Sequence, residues 1–177
     1  MKRILLFPVC VLAVLSVVSC ATTAPFVMPS APPAENEGRV VFVNAAKGDF
    51  YLMTNPDTVA YMDANPKGYS NTGFALSEGR KAGNLFIKEK QAYTFGWPKG
   101  SKHIYLYVYS TSFYTSGSGN GAPIDIEVES GKTKYFKISG NNEFKILVPG
   151  ATGSIGQIEE AEATELLKTA TTAYNPK

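Results

Sequence analysis

The sequence predicts a mainly β protein: an antiparallel β-sandwich of about seven strands with a C-terminal amphipathic helix packed on it. Short segments of alternating apolar and polar residues recur between Gly- and Pro-containing turns, which is typical of such folds. The chain is also rich in aromatic residues, with ten Tyr and ten Phe, and is 44% hydrophobic. Only near the C-terminus does the apolar period lengthen to that of a helix. These features predict one domain with one core.

The first strand is predicted at residues 39–44, which are apolar almost throughout. Such a run suggests burial on both faces and therefore a central position in a sheet. Residues 45–71 are predicted to be an insertion with one short strand or helix, because Asn-Pro pairs at 55–56 and 65–66 favour turns. Residues 74–87 are predicted to form a hairpin around a Glu-Gly turn.

The clearest alternation lies at residues 104–109. Successive side chains of a strand point to opposite faces, so the aliphatic residues Ile104, Leu106 and Val108 are expected in the core. The opposite face then carries a row of three tyrosines: Tyr105, Tyr107 and Tyr109. Residues 93–97 alternate in the same way and end at Trp97, which we expect near this row.

Three further strands are predicted, at residues 124–128, 134–138 and 144–148. A Ser-Gly-Lys turn at 130–132 suggests that the first two form a hairpin. That pairing would bring Asp125 and Glu127 near Lys137 across the outer face.

The C-terminal helix is predicted at residues 156–174. Acidic residues lie near its start and Lys168 near its end, which suits the helix dipole. Apolar residues including Leu166 and Leu167 recur at helical spacing, which gives the helix one apolar face. Because an isolated helix of this length is marginal in water, we expect it to dock on the sheet, covering the tyrosine row.

The N-terminus has the pattern of a secretory signal peptide at residues 1–19. Lys2 and Arg3 precede an apolar run at residues 4–18. An uncleaved membrane anchor is the alternative, but this run contains Pro8 and is shorter than the roughly 20 residues that a spanning helix needs.

The leader ends in Val17-Val18-Ser19-Cys20, which resembles the lipobox of bacterial lipoproteins. The resemblance implies cleavage between Ser19 and Cys20 and attachment of a diacylglycerol and a further acyl chain, such as palmitate, to Cys20. Two lipid signals hold a protein stably at a bilayer. Ala21, rather than an aspartate, follows the cysteine, which favours the outer membrane of a two-membrane cell. A plain signal peptide with an incidental cysteine is the alternative.

Residues 20–38 contain four prolines without apolar periodicity, which predicts an extended tether after the lipidated Cys20. A single β-sandwich domain with its C-terminal helix would then occupy residues 39–177. Removing Lys2 and Arg3 with the leader makes basic and acidic residues equal in number, since the chain has 17 of the former and 15 of the latter. A chain without a net basic field is not expected to bind nucleic acid.

The sequence offers little for catalysis. His103 is the single histidine, and both cysteines, Cys10 and Cys20, belong to the leader or to the lipid site. A nucleophilic triad would therefore depend on one imidazole, and a zinc site normally needs three or four Cys, His or carboxylate ligands. We expect no catalytic residues, no metal and no cofactor, and a structural or surface role for His103.

Several segments, in order, resemble the bacterial domain of unknown function 2846, which occurs in small envelope lipoproteins. They are the strand at 39–43, residues 74–85, Tyr93 before the Pro-Lys-Gly-Ser-Lys-His turn at 98–103, and residues 129–136. The resemblance covers about residues 39–167 and implies a β-sandwich similar to transthyretin-like or PEGA-like domains. It implies no catalytic residues.

These observations predict a lipid-anchored envelope protein, periplasmic or surface-facing, that is not an enzyme. Its partners would be the bilayer, through acylated Cys20, and another envelope or extracellular protein. The alternative is a lipoprotein that binds glycans or the cell wall through an exposed aromatic face formed by Tyr105, Tyr107 and Tyr109, with Trp97 nearby. Aromatic side chains offer flat apolar area with a polar tip, which suits such contacts.

Overall fold

The computed structural model describes residues 24–65, 77–110, 118–141 and 152–173. Within these ranges the chain forms nine strands and two helices, arranged as two sheets. The mainly β, two-sheet prediction is confirmed. The predicted signal peptide with Ser19 and Cys20, and the predicted strand at 144–148, lie outside the described residues.

The first sheet has five strands in the order β8-β7-β1-β4-β9. Their bounds are β1 Glu37–Asn44, β4 Gln91–Pro98, β7 Thr133–Asn141, β8 Thr152–Ile158 and β9 Thr171–Thr172. The second sheet has four strands in the order β3-β2-β5-β6. Their bounds are β2 Phe50–Met53, β3 Leu85–Ile87, β5 Gly100–Ser110 and β6 Ser118–Val128.

Strand β1 is central in the first sheet, as its apolar sequence predicts. It pairs antiparallel with β4 and parallel with β7. The prediction of a wholly antiparallel fold is therefore wrong, since β4 and β9 are parallel as well. After β6 the turn at 130–131 carries the chain across to the other sheet, so β7 lies beside β1 instead of returning along β6.

This crossing also corrects a predicted ion-pair cluster. Asp125 and Glu127 belong to β6 in the second sheet, whereas Lys137 belongs to β7 in the first. Lys137 instead pairs with Glu162, and Asp125 pairs with His103.

The core lies between the two sheets. It is built from the inward-facing residues of strands in which apolar and polar residues alternate. Ile104, Leu106 and Val108 all take part, as their alternation predicts. Phe42 of β1 is fully buried and its ring contacts those of Phe95, Trp97 and Phe136. Other buried members are Val40, Phe50, Leu52, Leu85, Ile87, Ile126, Val128 and Ile138.

The predicted insertion forms both a strand, β2, and a helix, α1 (Pro56–Ala64). The Asn-Pro pair at 55–56 marks the start of α1. The Asn55 side chain accepts hydrogen bonds from the backbone N–H groups of Asp57 and Thr58, at 3.0 and 3.1 Å. Pro56 occupies the first turn, where its missing N–H costs nothing.

The prediction of a hairpin at residues 74–87 is wrong for residues 77–87, which are the part that the structure describes. Residues 77–78 are helical and residues 79–83 form turns and a bend. Strand β3 pairs with β2 rather than with the preceding residues. Asn84 organises these turns from a fully buried position. Its side-chain oxygen accepts from the N–H groups of Thr54 and Asn55, and its amide donates to the Glu78 carbonyl.

The C-terminal segment begins as a strand, so the helix predicted from residue 156 starts too early. Residues up to Ile158 pair with β7, and the helix α2 spans Glu160–Leu167. Ala163 is buried, and Leu166 and Leu167 pack against a buried cluster. The buried members of that cluster are Val43, Ala92 and Ala170. All of its strand residues belong to the first sheet, so the expectation that this helix covers the tyrosines of the second sheet is wrong.

The predicted tether does not stand away from the domain where it is described. Phe26 donates its N–H to the Ala170 carbonyl, and Thr172 donates to the Ala24 carbonyl, both at 2.9 Å. The Phe26 ring packs against the same cluster as Leu166 and Leu167. Strand β9 is only two residues long and lies at the edge of its sheet, so residues 24–26 supply partners for backbone groups there.

None of the helices within the described ranges is both long enough and apolar enough to cross a membrane.

Candidate binding groove

The predicted tyrosine face is not exposed. Tyr105 and Tyr107 retain only 7% and 0% of their accessible surface. They pack with Met53 and with Val59 and Met62 of α1, which lies across the outer face of the second sheet. The helix of the insertion therefore covers these tyrosines. The prediction that they form an exposed face is wrong for Tyr105 and Tyr107. The side chain of Tyr109 lies outside the described residues.

Trp97 lies on the first sheet, whereas Tyr105 and Tyr107 lie on the second. Its ring stacks on that of Phe95, with centroids 4.7 Å apart and an interplanar angle of 24°. It also meets Phe42 edge-on at 6.2 Å. The indole is partly exposed, and these contacts fix its orientation.

A groove of about 330 Å³ opens where β2 ends. Met53, the last residue of β2, pairs with Tyr105, whereas β5 continues to Gly100. The chain leaves the sheet at Thr54 to begin α1, so the groove lies between α1, the start of β5 and Trp97. Its lining residues are Thr54, Pro56, Val59, Ala60, Asp63, Trp97, Lys102, His103 and Ile104.

His103 connects three elements at the rim of this groove. Its Nδ1 lies 2.6 Å from Asp125 Oδ1 on β6, and its Nε2 lies 3.2 Å from Asp63 Oδ1 on α1. The Tyr105 hydroxyl donates to the same Asp63 oxygen at 2.7 Å. The imidazole also meets the Tyr105 ring edge-on, with centroids 5.3 Å apart. We call Asp63, His103 and Asp125, with the Tyr105 hydroxyl, the histidine clasp.

The clasp favours the protonated form of His103. Both ring nitrogens face carboxylates, and an imidazole can donate from both only as the cation. The hydrogen bond with Asp125 raises the pKa of His103 above 6.5, opposed by partial burial and assisted by the negative charges of Asp125 and Asp63. The clasp therefore ties α1 to the second sheet with a charge that depends on pH.

We expect the clasp to make stability depend on pH in a defined direction. Because the folded pKa of His103 is raised, the clasp contributes its full stabilisation below the unfolded value of about 6.5 and loses it as pH rises through the folded pKa. Urea unfolding at a series of pH values measures this effect. As the pH rises from about 6.5 through the folded pKa of His103, the free energy of unfolding of the wild type should fall relative to that of His103→Gln. Parallel curves for the two proteins would contradict the expectation.

Sequence reasoning identified His103 but missed both of its partners. Asp125 was expected to face Lys137, because the turn at 130–131 resembles a hairpin turn. Asp63 lies in the insertion, whose fold the sequence left open, so nothing in the sequence signalled its approach to β5. Among the described residues, no group of three or more His, Cys, Asp and Glu side chains is placed to hold a metal ion.

Comparison with known proteins yields no matching protein-family model, no matching curated protein and no matching solved structure. The resemblance to the domain of unknown function 2846 therefore stays a prediction.

Proposed function

We propose that the protein is a lipid-anchored module of the bacterial envelope that acts by binding rather than by catalysis. The observation that carries this proposal is the end of the apolar leader, Val17-Val18-Ser19-Cys20. The Cys20 thiol would receive a diacylglycerol, and cleavage after Ser19 would free its amino group for a further acyl chain. Two acyl signals give stable attachment to a bilayer. Ala21 favours the outer membrane as the destination.

The chemistry of His103 supports a non-catalytic role. A general base must reach the proton of a nucleophile or substrate. In the histidine clasp both imidazole nitrogens are directed at carboxylates, Asp125 and Asp63. The imidazole is thus engaged in holding α1 against the second sheet, as a structural histidine would be.

The packing of the C-terminal helix also enters the proposal. We take α2 to be a fixed part of the domain that covers the outer face of the first sheet. Buried Ala163 and the partly buried Leu166 and Leu167 support this arrangement. The ion pair between Lys137 and Glu162 links the helix to β7.

The binding partner is proposed to be another envelope or extracellular protein. The tyrosine face does not support glycan binding, because Tyr105 and Tyr107 are covered by α1.

Replacing Cys20 by serine is expected to release the protein from the membrane. The wild-type protein should partition almost wholly with membranes and need detergent for extraction. Cys20→Ser should lose the acyl chains and most of this association. Fractionation of cells, with the mass of the mature N-terminus, measures both effects.

The chain offers a matched control in Cys10, which lies within the leader. Cys10→Ser should leave both the membrane fraction and the acyl mass unchanged. An intact leader, or a mature N-terminus at any residue other than Cys20, would contradict the proposal.

A further inference from the structure

We propose that the groove beside Trp97 is a binding site for a neutral saccharide. The inference goes beyond the protein partner proposed above and assigns this groove a small-molecule ligand of its own. It does not involve the buried tyrosines, and its argument comes from the geometry and charge of the groove.

The first step is the fixed aromatic wall. Trp97 is partly exposed and lines the groove, while its ring is held by the stack on Phe95 and the edge contact with Phe42. A flat ring whose orientation is already set can receive a ligand without a further loss of side-chain freedom. The C–H face of a sugar ring is also flat and apolar, so it can stack on the face of the Trp97 indole.

The second step is the polar rim. The Asp63 carboxylate is 49% exposed and can accept hydrogen bonds from hydroxyl groups. Lys102 and Thr54 line the same groove. Apolar residues, including Val59 and Ile104, complete the lining. Small-molecule sites combine a mostly apolar wall with a few placed polar groups in this way, and their volumes begin near ~300 Å³.

The third step is charge. The lining carries the Asp63 carboxylate, which opposes an anion, and the Lys102 ammonium group, which opposes a cation. A rim of mixed sign therefore disfavours a highly charged ligand of either kind. It suits a neutral molecule that carries several hydroxyl groups, each able to donate and to accept.

The fourth step concerns the stability of the rim itself. Asp63 is held in place by the Tyr105 hydroxyl at 2.7 Å and by His103. Tyr105 is buried and contributes its ring to the cluster beneath α1. The carboxylate is thus oriented before a ligand arrives, as a selective site requires.

The test uses Trp97 as its own reporter, because it is the only tryptophan in the chain. The full-length protein in detergent is titrated with N,N′-diacetylchitobiose, maltose and cellobiose while its tryptophan emission is followed. We expect a saturable change with at least one of these neutral sugars. Asp63→Asn should raise the dissociation constant at least tenfold, which is about 1.4 kcal/mol.

Asp57→Asn is the matched control, since Asp57 lies on the same helix and outside the groove lining. It should leave the dissociation constant unchanged, and thermal unfolding verifies that both variants are folded. The inference is overturned if none of the three sugars gives a saturable change, if both variants weaken binding equally, or if only inorganic phosphate or a charged sugar produces a response. Membrane association is measured separately through Cys20→Ser, so a failure of sugar binding is distinguishable from a failure of the anchor.

Discussion

Substituting alanine for Gly38 is expected to destabilise the protein by about 2–3 kcal/mol, the upper part of the range of about 1–3 kcal/mol for an overpacked core. A Cβ atom at this position would lie 2.4 Å from the Glu129 carbonyl oxygen and 2.7 Å from Val128 Cγ1. The first of these contacts is with backbone, which cannot rotate away as the end of a side chain can. The start of β1 would have to move from the end of β6.

Such a movement is opposed by hydrogen bonds around the same turn. The Glu129 carbonyl accepts from Lys132 N–H at 3.2 Å, and Gly131 donates to the Glu37 carbonyl at 2.8 Å. Arg39 in turn donates to the Lys132 carbonyl at 2.8 Å. Displacing the turn would therefore break or strain bonds on both sides of Gly38.

Gly96→Ala provides the matched control on the adjacent strand. Among the described residues, a Cβ there would meet only the Glu37 carboxylate, at the ordinary distance of 3.5 Å. This variant should be neutral or slightly more stable, since alanine restricts the unfolded chain more than glycine does. Urea unfolding of the two variants beside the wild type measures the difference. Equal stability of Gly38→Ala and Gly96→Ala would show that the contact at Gly38 is relieved without cost.

The second large effect is expected for Asn84→Ala, at about 3 kcal/mol. The side chain is fully buried and accepts from the N–H groups of Thr54 and Asn55 at 2.7 and 2.8 Å. Its amide donates to the Glu78 carbonyl at 2.7 Å and to Thr58 Oγ1 at 3.2 Å. Alanine would remove all four bonds, and each buried polar group left without a partner costs about 1–3 kcal/mol.

Two further variants sharpen this test. Asn65→Ala removes a single bond, from Asn65 Nδ2 to the Tyr61 carbonyl, at the exposed end of α1, and should change stability by less than about 1 kcal/mol. Asn84→Asp keeps the acceptor for Thr54 and Asn55, but it loses the donor and buries a carboxylate facing the Glu78 carbonyl. It should therefore also be clearly less stable than the wild type. A stability change for Asn84→Ala no larger than that for Asn65→Ala, in thermal unfolding, would contradict the role assigned to Asn84.

The strands that follow simple alternation could be predicted from the sequence. The inward positions of β5, β6 and β7 follow from period two, because one face of each strand is buried in the core. The central place of β1 follows from its continuous apolar run: Val40 and Phe42 face the core, while Val43 packs in the cluster that includes α2. These properties are local, so a single segment is enough to reveal them.

The partners of each strand could not be predicted in the same way. The turn at 130–131 has the residues of a hairpin turn, yet it joins strands of different sheets. Its path depends on non-local contacts, since the turn bonds to Glu37 and Arg39, which are far away in sequence. The same limit applies to the histidine clasp, whose members come from three elements.

The burial of the tyrosines could not be predicted, because the helix that covers them, α1, is too short to be recognised from the sequence. Helix α1 has nine residues, of which Thr58, Val59 and Met62 are buried. Two or three apolar positions do not establish a helical stripe, so a longer helix at the C-terminus was the more natural cover. The C-terminal segment instead pairs with β7 up to Ile158. Leu166 and Leu167 then pack against a cluster whose strand residues belong to the first sheet.

The docking of residues 24–26 beside β9 would limit how far the domain could stand from the proposed lipid anchor. An extended chain advances at most about 3.6 Å per residue, so the four steps from Cys20 to Ala24 span no more than about 14 Å. In the anchored form proposed above, the β9 edge would thus lie almost at headgroup level. The orientation of the whole body toward the bilayer would be restricted by this short link, so that one side is presented outward and the other is hidden.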